Sequence, residues 1–211
     1  MWEAGSCLER KQGRDQCTHP ILSILAQTHA AALPFAAIIT HLFSLPFQTI
    51  MTLRIIATGG TFDKHYNELN GVLGFADTHL PEVIKRSRMT IPVELEVLPL
   101  LDSLEMQDAD RQRVLAACQG AAEQAIVIVH GTDTMRETAE VLGAALQDKT
   151  IVFTGAMIPY AIANSDALFN FGFACGVAQV LPPGVYVAMN GKIFTWDKVT
   201  KNRTAGVFQS V

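Results

Sequence analysis

The sequence has few charges and lacks any cluster of basic residues. Only 17% of its 211 residues are charged, and the formal net charge is −4. A nucleic-acid partner requires lysines and arginines gathered against its phosphates, so we predict no nucleic-acid binding. Hydrophobic residues make up 49% of the chain, which suits a single sizeable core.

Cysteine is scarce and is not spaced like a metal ligand. The four cysteines are Cys7, Cys17, Cys118 and Cys175, and no C-x-x-C pair occurs among them. Zinc sites normally show such spacing, and disulfide frameworks are typical of short, cysteine-rich secreted chains. We therefore expect reduced thiols, no metal site and a cytoplasmic location.

Charge is absent altogether between residues 18 and 53. A stretch of this length is long enough to span a membrane. Pro34 and Pro46 interrupt it, however, His29 and His41 lie inside it, and no small-residue cleavage pattern follows it. Met51 then stands shortly before the first clear strand. We expect residues 1–50 to be an N-terminal extension, either disordered or the product of an upstream start site, and a membrane anchor is the alternative.

From Met51 onward, apolar β-branched runs alternate with helical patterns. The runs are residues 53–59, 95–101, 125–131, 150–156 and 184–190, and the helical patterns are residues 81–88, 108–120, a stretch from 134, and 165–180. Thr134 and Glu137 have the spacing of a capping box for the third helix. Apolar strands that alternate with helices form an open parallel sheet with helices on both faces.

Residues 51–211 are therefore predicted to form one α/β domain of the Rossmann or flavodoxin-like kind. The pair Asn190-Gly191, between two apolar runs, predicts a type I′ β-hairpin near the C-terminus.

Small residues, hydroxyls and carboxylates follow four successive strands. They are Thr58-Gly59-Gly60-Thr61, Asp102-Ser103, His130-Gly131-Thr132-Asp133-Thr134 and Thr154-Gly155-Ala156-Met157. In an open α/β sheet the ligand crevice lies beyond these carboxyl ends. Small residues let backbone N–H groups approach a ligand, and hydroxyls can act as nucleophiles. We therefore predict a ligand site at this edge of the sheet.

Each of these groups also has a purely structural interpretation. Glycines after strands commonly serve only as turns. Asp133 or Thr134 can be a helix N-cap, and His130 can be a hydrogen-bonded core histidine. Independent turn requirements do not explain hydroxyls at successive strand ends, so we favour the functional interpretation.

Four spaced motifs resemble the bacterial-type L-asparaginase family, which includes the glutaminase-asparaginases. They are TGGTF, HGTDTMRETA, GAMIP with NSDALFNF, and DKVTKNRT, in the family's order over about residues 53–211. The resemblance implies an amidohydrolase that splits the side-chain amide of asparagine, or a related amide, through a threonine acyl-enzyme. It implies no metal or organic cofactor.

The resemblance implies catalytic roles for five residues. Thr61 matches the primary nucleophile, and Tyr66 is the candidate for a tyrosine that helps to activate it. Thr132, Asp133 and Lys201 match the family's Thr-Lys-Asp set.

The resemblance also implies how the substrate is held. Ser103 matches the serine that binds the α-carboxylate, and Asp133 matches the partner of the α-ammonium. Thr132 belongs to the same binding loop, and backbone N–H groups around Gly60 and Gly131 would serve the oxyanion.

The sequence departs from the family in two respects. Ile158 stands where the family usually has an arginine, and members usually continue into a second, C-terminal domain. We expect a single-domain form with an open substrate pocket, which self-associates through the exposed face.

Two other function classes stay open from the sequence. One is a non-catalytic amino-acid-binding or regulatory module that keeps the pocket without turnover. The other is a nucleotide-binding protein that uses Gly59-Gly60 as a phosphate turn, but neither G-x-G-x-x-G nor G-x-x-x-x-G-K-[ST] occurs.

Overall fold

A computed structural model describes residues 51–211 of the chain. The strands are β1 Leu53–Gly59, β2 His65–Asn67, β3 Val72–Gly74, β4 Val93–Leu101, β5 Ala125–Val129, β6 Thr150–Thr154, β7 Gly184–Met189, β8 Lys192–Thr195, β9 Val199–Asn202 and β10 Val207–Ser210. The helices are α1 Leu80–Arg86, α2 Asp108–Gly120, α3 Met135–Ala145 and α4 Ala167–Ala178, and short 3-10 turns occupy Thr61–Asp63 and Trp196–Lys198.

The expectations for residues 1–50, an extension or a membrane anchor, lie outside the described residues. Within residues 51–211, no helix has the length and apolar character needed to cross a membrane.

Six strands form the central sheet in the order β4-β1-β5-β6-β7-β8. The first five pair in parallel, and β8 pairs antiparallel with β7. Counted along the chain, the parallel strands lie in the order 2-1-3-4-5, which is the flavodoxin-like order. The predicted open α/β sheet is therefore confirmed. Because the strand order reverses between β1 and β5, this fold has its ligand crevice beyond the carboxyl ends of those two strands.

Helices cover both faces of the sheet. On one face, Val83 of α1 and Phe171 of α4 belong to the same buried cluster as Ile55 of β1. On the other face, α2 and α3 supply the cover, and Leu142 of α3 shares a buried cluster with Ile128 of β5. Every residue of β5 and β6 is buried, which explains why these strands are apolar on both sides.

The helices lie where the sequence predicts them, but the residues that cap them differ from the prediction. α2 has the predicted bounds, and Gln107 and Asp110 form a capping box at its start. The capping box predicted for α3 is wrong, because the side chain of Thr134 does not cap that helix. Its hydroxyl instead donates to the carbonyl oxygen of Ser103 at 2.7 Å. This bond joins the start of α3 to the turn after β4.

Asn190 and Gly191 form the predicted hairpin turn between β7 and β8. Their φ angles of 56° and 72° are positive, as a type I′ turn requires, and Met189 pairs with Lys192 across it. A separate antiparallel ribbon, β9–β10, follows, and neither it nor the β2–β3 ribbon is predicted from the sequence. The side-chain oxygen of Asn190 accepts a hydrogen bond from the N–H of Phe208 at 3.0 Å, which fastens that ribbon to the hairpin turn.

Candidate active site

Three loops meet at the carboxyl ends of β1, β4 and β5. A Cβ atom on Gly60 would overlap the backbone of Gly131. A Cβ atom on Gly131 would lie 2.6 Å from both the Cβ and the Oγ of Ser103. These two glycines are therefore required by the close approach of the loops, and the structure brings all three residues into contact.

Replacing Gly131 with alanine is expected to lower the free energy of unfolding by about 1–3 kcal/mol, because the added methyl group forces packed atoms apart. Gly120→Ala is the matched control, since a Cβ there meets no atom within 4 Å. Urea unfolding of both variants measures the difference. A Gly131→Ala protein as stable as the control would contradict the close approach of the loops.

Thr61 begins a 3-10 turn immediately after β1. Gly59 and Gly60 have φ angles of 95° and 76°, a region that favours glycine, and they turn the chain out of the strand. Phe62 is fully buried, whereas Thr61 is only partly buried. The buried phenylalanine anchors the turn and leaves the threonine partly exposed at the carboxyl end of β1.

Asp63 ties this turn to the start of α1. Its Oδ1 accepts hydrogen bonds from the hydroxyl of Thr78 at 3.0 Å and from the N–H of His79 at 2.9 Å. Burial raises the pKa of the Asp63 carboxyl, and the two hydrogen bonds act in the opposite direction without cancelling the effect. The buried Asp63 side chain therefore links the Thr61 turn to the residues that precede α1.

Lys201 joins Thr132 and Asp133 on the neighbouring loop. Its Nζ donates to Thr132 Oγ1 at 2.7 Å and to Asp133 Oδ1 at 2.9 Å. The side chain of Lys201 is 11% exposed and that of Asp133 is 31% exposed. Arg203 Nε lies 3.8 Å from the same carboxylate oxygen. A cation, a hydroxyl and a carboxylate therefore share one partly buried contact.

The position of Lys201 depends on a chain of hydrogen bonds through two asparagine side chains that support the β9–β10 ribbon. Lys201 pairs across β9–β10 with Phe208, which is buried. The Asn190 side chain binds the N–H of Phe208, and the N–H of Asn190 donates to the side chain of Asn170 at 3.2 Å. Asn170 in turn donates to Asp166 at 2.8 Å. This chain of hydrogen bonds links the start of α4 to the ribbon that carries Lys201.

His130 is a hydrogen-bonded core histidine, one of the two interpretations left open by the sequence. Its Nδ1 lies 2.8 Å from the carbonyl oxygen of Gly131, which fixes the proton on Nδ1. Its Nε2 then accepts from the hydroxyl of Thr138 at 2.9 Å. Burial lowers the pKa of His130 to about 4; the charge of Arg111 acts in the same direction, and the Gly131 carbonyl opposes them.

This histidine predicts a loss of stability in mild acid. As the pH falls below 6.5, the unfolded chain takes up a proton that folded His130 binds only near pH 4. The free energy of unfolding should therefore drop by about 3 kcal/mol between those two pH values. His130→Asn keeps a donor and an acceptor without titrating, so urea unfolding at pH 7 and pH 4 should show a smaller drop. An equal drop in both proteins would rule out this contribution.

Tyr66 lies on β2, in the two-stranded β2–β3 ribbon, and is 61% exposed. Its hydroxyl lies beside Gly71, 3.9 Å from the position that a Cβ atom would take. Within residues 51–211, it forms no hydrogen bond with Thr61 or Thr132. The activation of Thr61 by this tyrosine stays a prediction.

The family described as "Asparaginase, N-terminal" matches residues 52–211. The chain belongs to the asparaginase family. The L-asparaginase of Thermococcus kodakarensis is 33% identical over 168 residues, which cover 76% of this chain and 51% of that protein. Its solved structure superposes with a TM-score of 0.69 at 31% identity, over 76% of this chain and 51% of that one.

A second solved structure gives the same result. The probable cytoplasmic L-asparaginase from Campylobacter jejuni superposes with a TM-score of 0.66 at 29% identity, over 76% of this chain and 53% of that one. The chain therefore spans about half the length of the asparaginases that it matches.

Two charged residues of this asparaginase domain, Lys64 and Asp166, were given no role from the sequence, whereas Asp102 was among the predicted strand-end residues. Lys64 pairs with Asp102 at 2.6 Å, between the Thr61 turn and the Ser103 turn. Asp166 accepts the backbone N–H groups of Met157 and Ile158, each at 3.0 Å, and so shapes the loop after β6. The signal that could have identified them in the sequence is that each of these charged residues lies close to one of the small-residue motifs.

Proposed function

We propose that this asparaginase domain hydrolyses the side-chain amide of L-asparagine, or a closely related amide, to the acid and ammonia. The observation that carries the proposal is the contact of Lys201 with Thr132 and Asp133. Thr132 and Asp133 lie on the loop that contains Gly131. Gly131 contacts Gly60, the residue before Thr61.

Thr61 is the proposed nucleophile. Its Oγ attacks the amide carbon to give a tetrahedral intermediate, which expels ammonia and leaves an ester on the threonine. Water then cleaves the ester and restores the hydroxyl. The hydroxyl proton passes to the leaving nitrogen through Thr132 and Lys201, because a lysine bonded to both a hydroxyl and a carboxylate can relay protons between them.

Backbone N–H groups supply the proposed oxyanion site. The N–H of Gly60 is already bonded to the carbonyl oxygen of Leu101 at 2.9 Å, so it is not free for this role. The carbonyl oxygen of Gly131 points towards His130, and in a trans peptide the N–H of Thr132 points the opposite way. We therefore assign the oxyanion to the N–H of Thr132, with that of Thr61 as its partner.

The substrate's charged groups have matching partners. Lys201 binds Oδ1 of Asp133, and Oδ2 is the oxygen proposed to take the α-ammonium. Ser103 is the proposed partner of the α-carboxylate. Acyl transfer to water consumes nothing else, so we propose no metal or organic cofactor. A cytoplasmic location and self-association stay predictions.

Ammonia release from a panel of amides tests the proposal. Purified protein should release ammonia from L-asparagine, and comparison with D-asparagine and L-glutamine defines the substrate. Binding of L-aspartate without any ammonia release would instead support the non-catalytic amino-acid-binding module.

A further inference from the structure

An ion pair bridges two of the loops that form the site. Lys64 lies three residues after Thr61, and its Nζ is 2.6 Å from Oδ2 of Asp102. Both side chains are largely covered, with 22% and 27% of their surfaces exposed. Asp102 directly precedes Ser103, so the pair links the proposed nucleophile turn to the proposed carboxylate-binding turn.

Asp102 carries a negative charge beside Ser103. Its Oδ1 accepts the N–H of Leu104 at 3.1 Å, which leaves Oδ2 to Lys64. Burial alone would raise the pKa of the Asp102 carboxyl, but the bonds from Lys64 and Leu104, together with the charges of Lys64 and Lys201, hold that pKa below its ordinary value. The carboxylate is thus ionised at neutral pH.

The other cations of the site are engaged elsewhere. Lys201 and Arg203 both lie against Oδ1 of Asp133. In the part of the chain that the structure describes, the cation in direct contact with Asp102 is Lys64. Without it, the charge of Asp102 would be offset only by the more distant Lys201, which already pairs with Asp133, and a ligand carboxylate at Ser103 would face a like charge.

Ser103 is buried, with 1% of its surface exposed, so a ligand carboxylate would have to reach its hydroxyl inside the turn. Its Oγ accepts the N–H of Thr134 at 3.4 Å, and within residues 51–211 its own proton has no acceptor. Whether an anion is tolerated there depends on the net charge of the neighbouring side chains.

We propose that Lys64 sets the substrate class by neutralising Asp102, so that the Ser103 turn accepts amides with a free α-carboxylate. The inference rests on the proposed function and extends it to a residue outside the matched catalytic set. Lys64 acts through Asp102 and is a positioning and charge-compensating residue.

Four proteins test the inference: the wild type, Lys64→Met, Asp102→Asn and the double variant. Calorimetry with L-aspartate should show about 10-fold weaker binding for Lys64→Met, the effect expected of one like charge roughly 7 Å away in a partly hydrated site. Asp102→Asn should bind at least as tightly as the wild type. The double variant should recover wild-type affinity, because neither charge is left uncompensated.

A substrate without the α-carboxylate supplies the second measurement. Asparagine α-amide keeps the α-ammonium but has no anion to face Asp102, so its KM should not rise in Lys64→Met, whereas the KM for asparagine should rise about 10-fold in the variant. Lys85→Met, an exposed lysine on α1, is the matched control and should leave both unchanged.

The two failures are distinguishable. Aspartate binding without ammonia release in the wild type would refute the proposed hydrolysis, and the four affinities would still decide the role of Lys64. Weakened binding that the double variant does not recover, or an equal rise in KM for asparagine α-amide, would overturn the role of Lys64. Equal affinities in all four proteins would overturn it too.

Discussion

Thr61→Ala should lower ammonia release from asparagine by ~10³-fold or more, the scale seen when a covalent nucleophile is removed. The variant keeps Gly59, Gly60 and the buried Phe62, which set the turn. Its free energy of unfolding should therefore stay within about 0.5 kcal/mol of the wild type. Ammonia release and urea unfolding measure the two quantities.

Thr90→Ala is the matched control for this experiment. Thr90 is exposed and precedes β4, at the opposite end of that strand from the Ser103 turn, so its loss should leave turnover unchanged. Mass spectrometry of the wild type during turnover should also detect an adduct on the peptide that contains Thr61. Full activity in Thr61→Ala would show that Thr61 is not the nucleophile. Thr132 would then be the candidate, and Thr132→Val should abolish turnover.

Lys201→Met should lower kcat by ~10²–10⁴-fold, the range for a group that transfers a proton in the transition state. The change removes both contacts of the ammonium, at 2.7 Å and 2.9 Å. Asp133 would keep Arg203 at 3.8 Å as a weaker partner. The Asp133 carboxylate, the proposed partner of the α-ammonium, is unchanged, so KM should change less than kcat.

Lys198→Met serves as the control for charge, because Lys198 is exposed and lies in the turn just before β9. It should keep the wild-type kcat. Steady-state kinetics of the two variants separates a catalytic role from a general loss of positive charge. If kcat is unchanged in Lys201→Met, then this lysine is a structural tie between the ribbon and the Thr132 loop.

The sequence was most informative about the sheet and the loops at its carboxyl ends. Buried parallel strands are apolar on both faces, so β5 and β6 were visible as continuous runs. Once the sheet was parallel, the residues after β1, β4 and β5 had to share an edge. The contacts of Gly60, Gly131 and Ser103 follow from that topology.

Tertiary contacts decided the features that local patterns did not predict. Thr134 and Glu137 have capping-box spacing, but the hydroxyl of Thr134 bonds to Ser103, 31 residues away. Lys201 was placed by resemblance alone, because the course of β9–β10 depends on bonds from Asn190 and on the burial of Phe208. No local pattern contains that information.

The hydrogen bonds that hold Lys201 come from parts of the chain that are far apart in sequence. The loops after β1, β4, β5 and β6 lie within residues 60–166. The lysine, by contrast, is held by a ribbon whose second strand includes Phe208 and is fastened through Asn190. Loss of the Phe208 side chain or of the Asn190 amide should therefore displace Lys201 from Thr132 and Asp133, while the loops after β1, β4 and β5 stay in place.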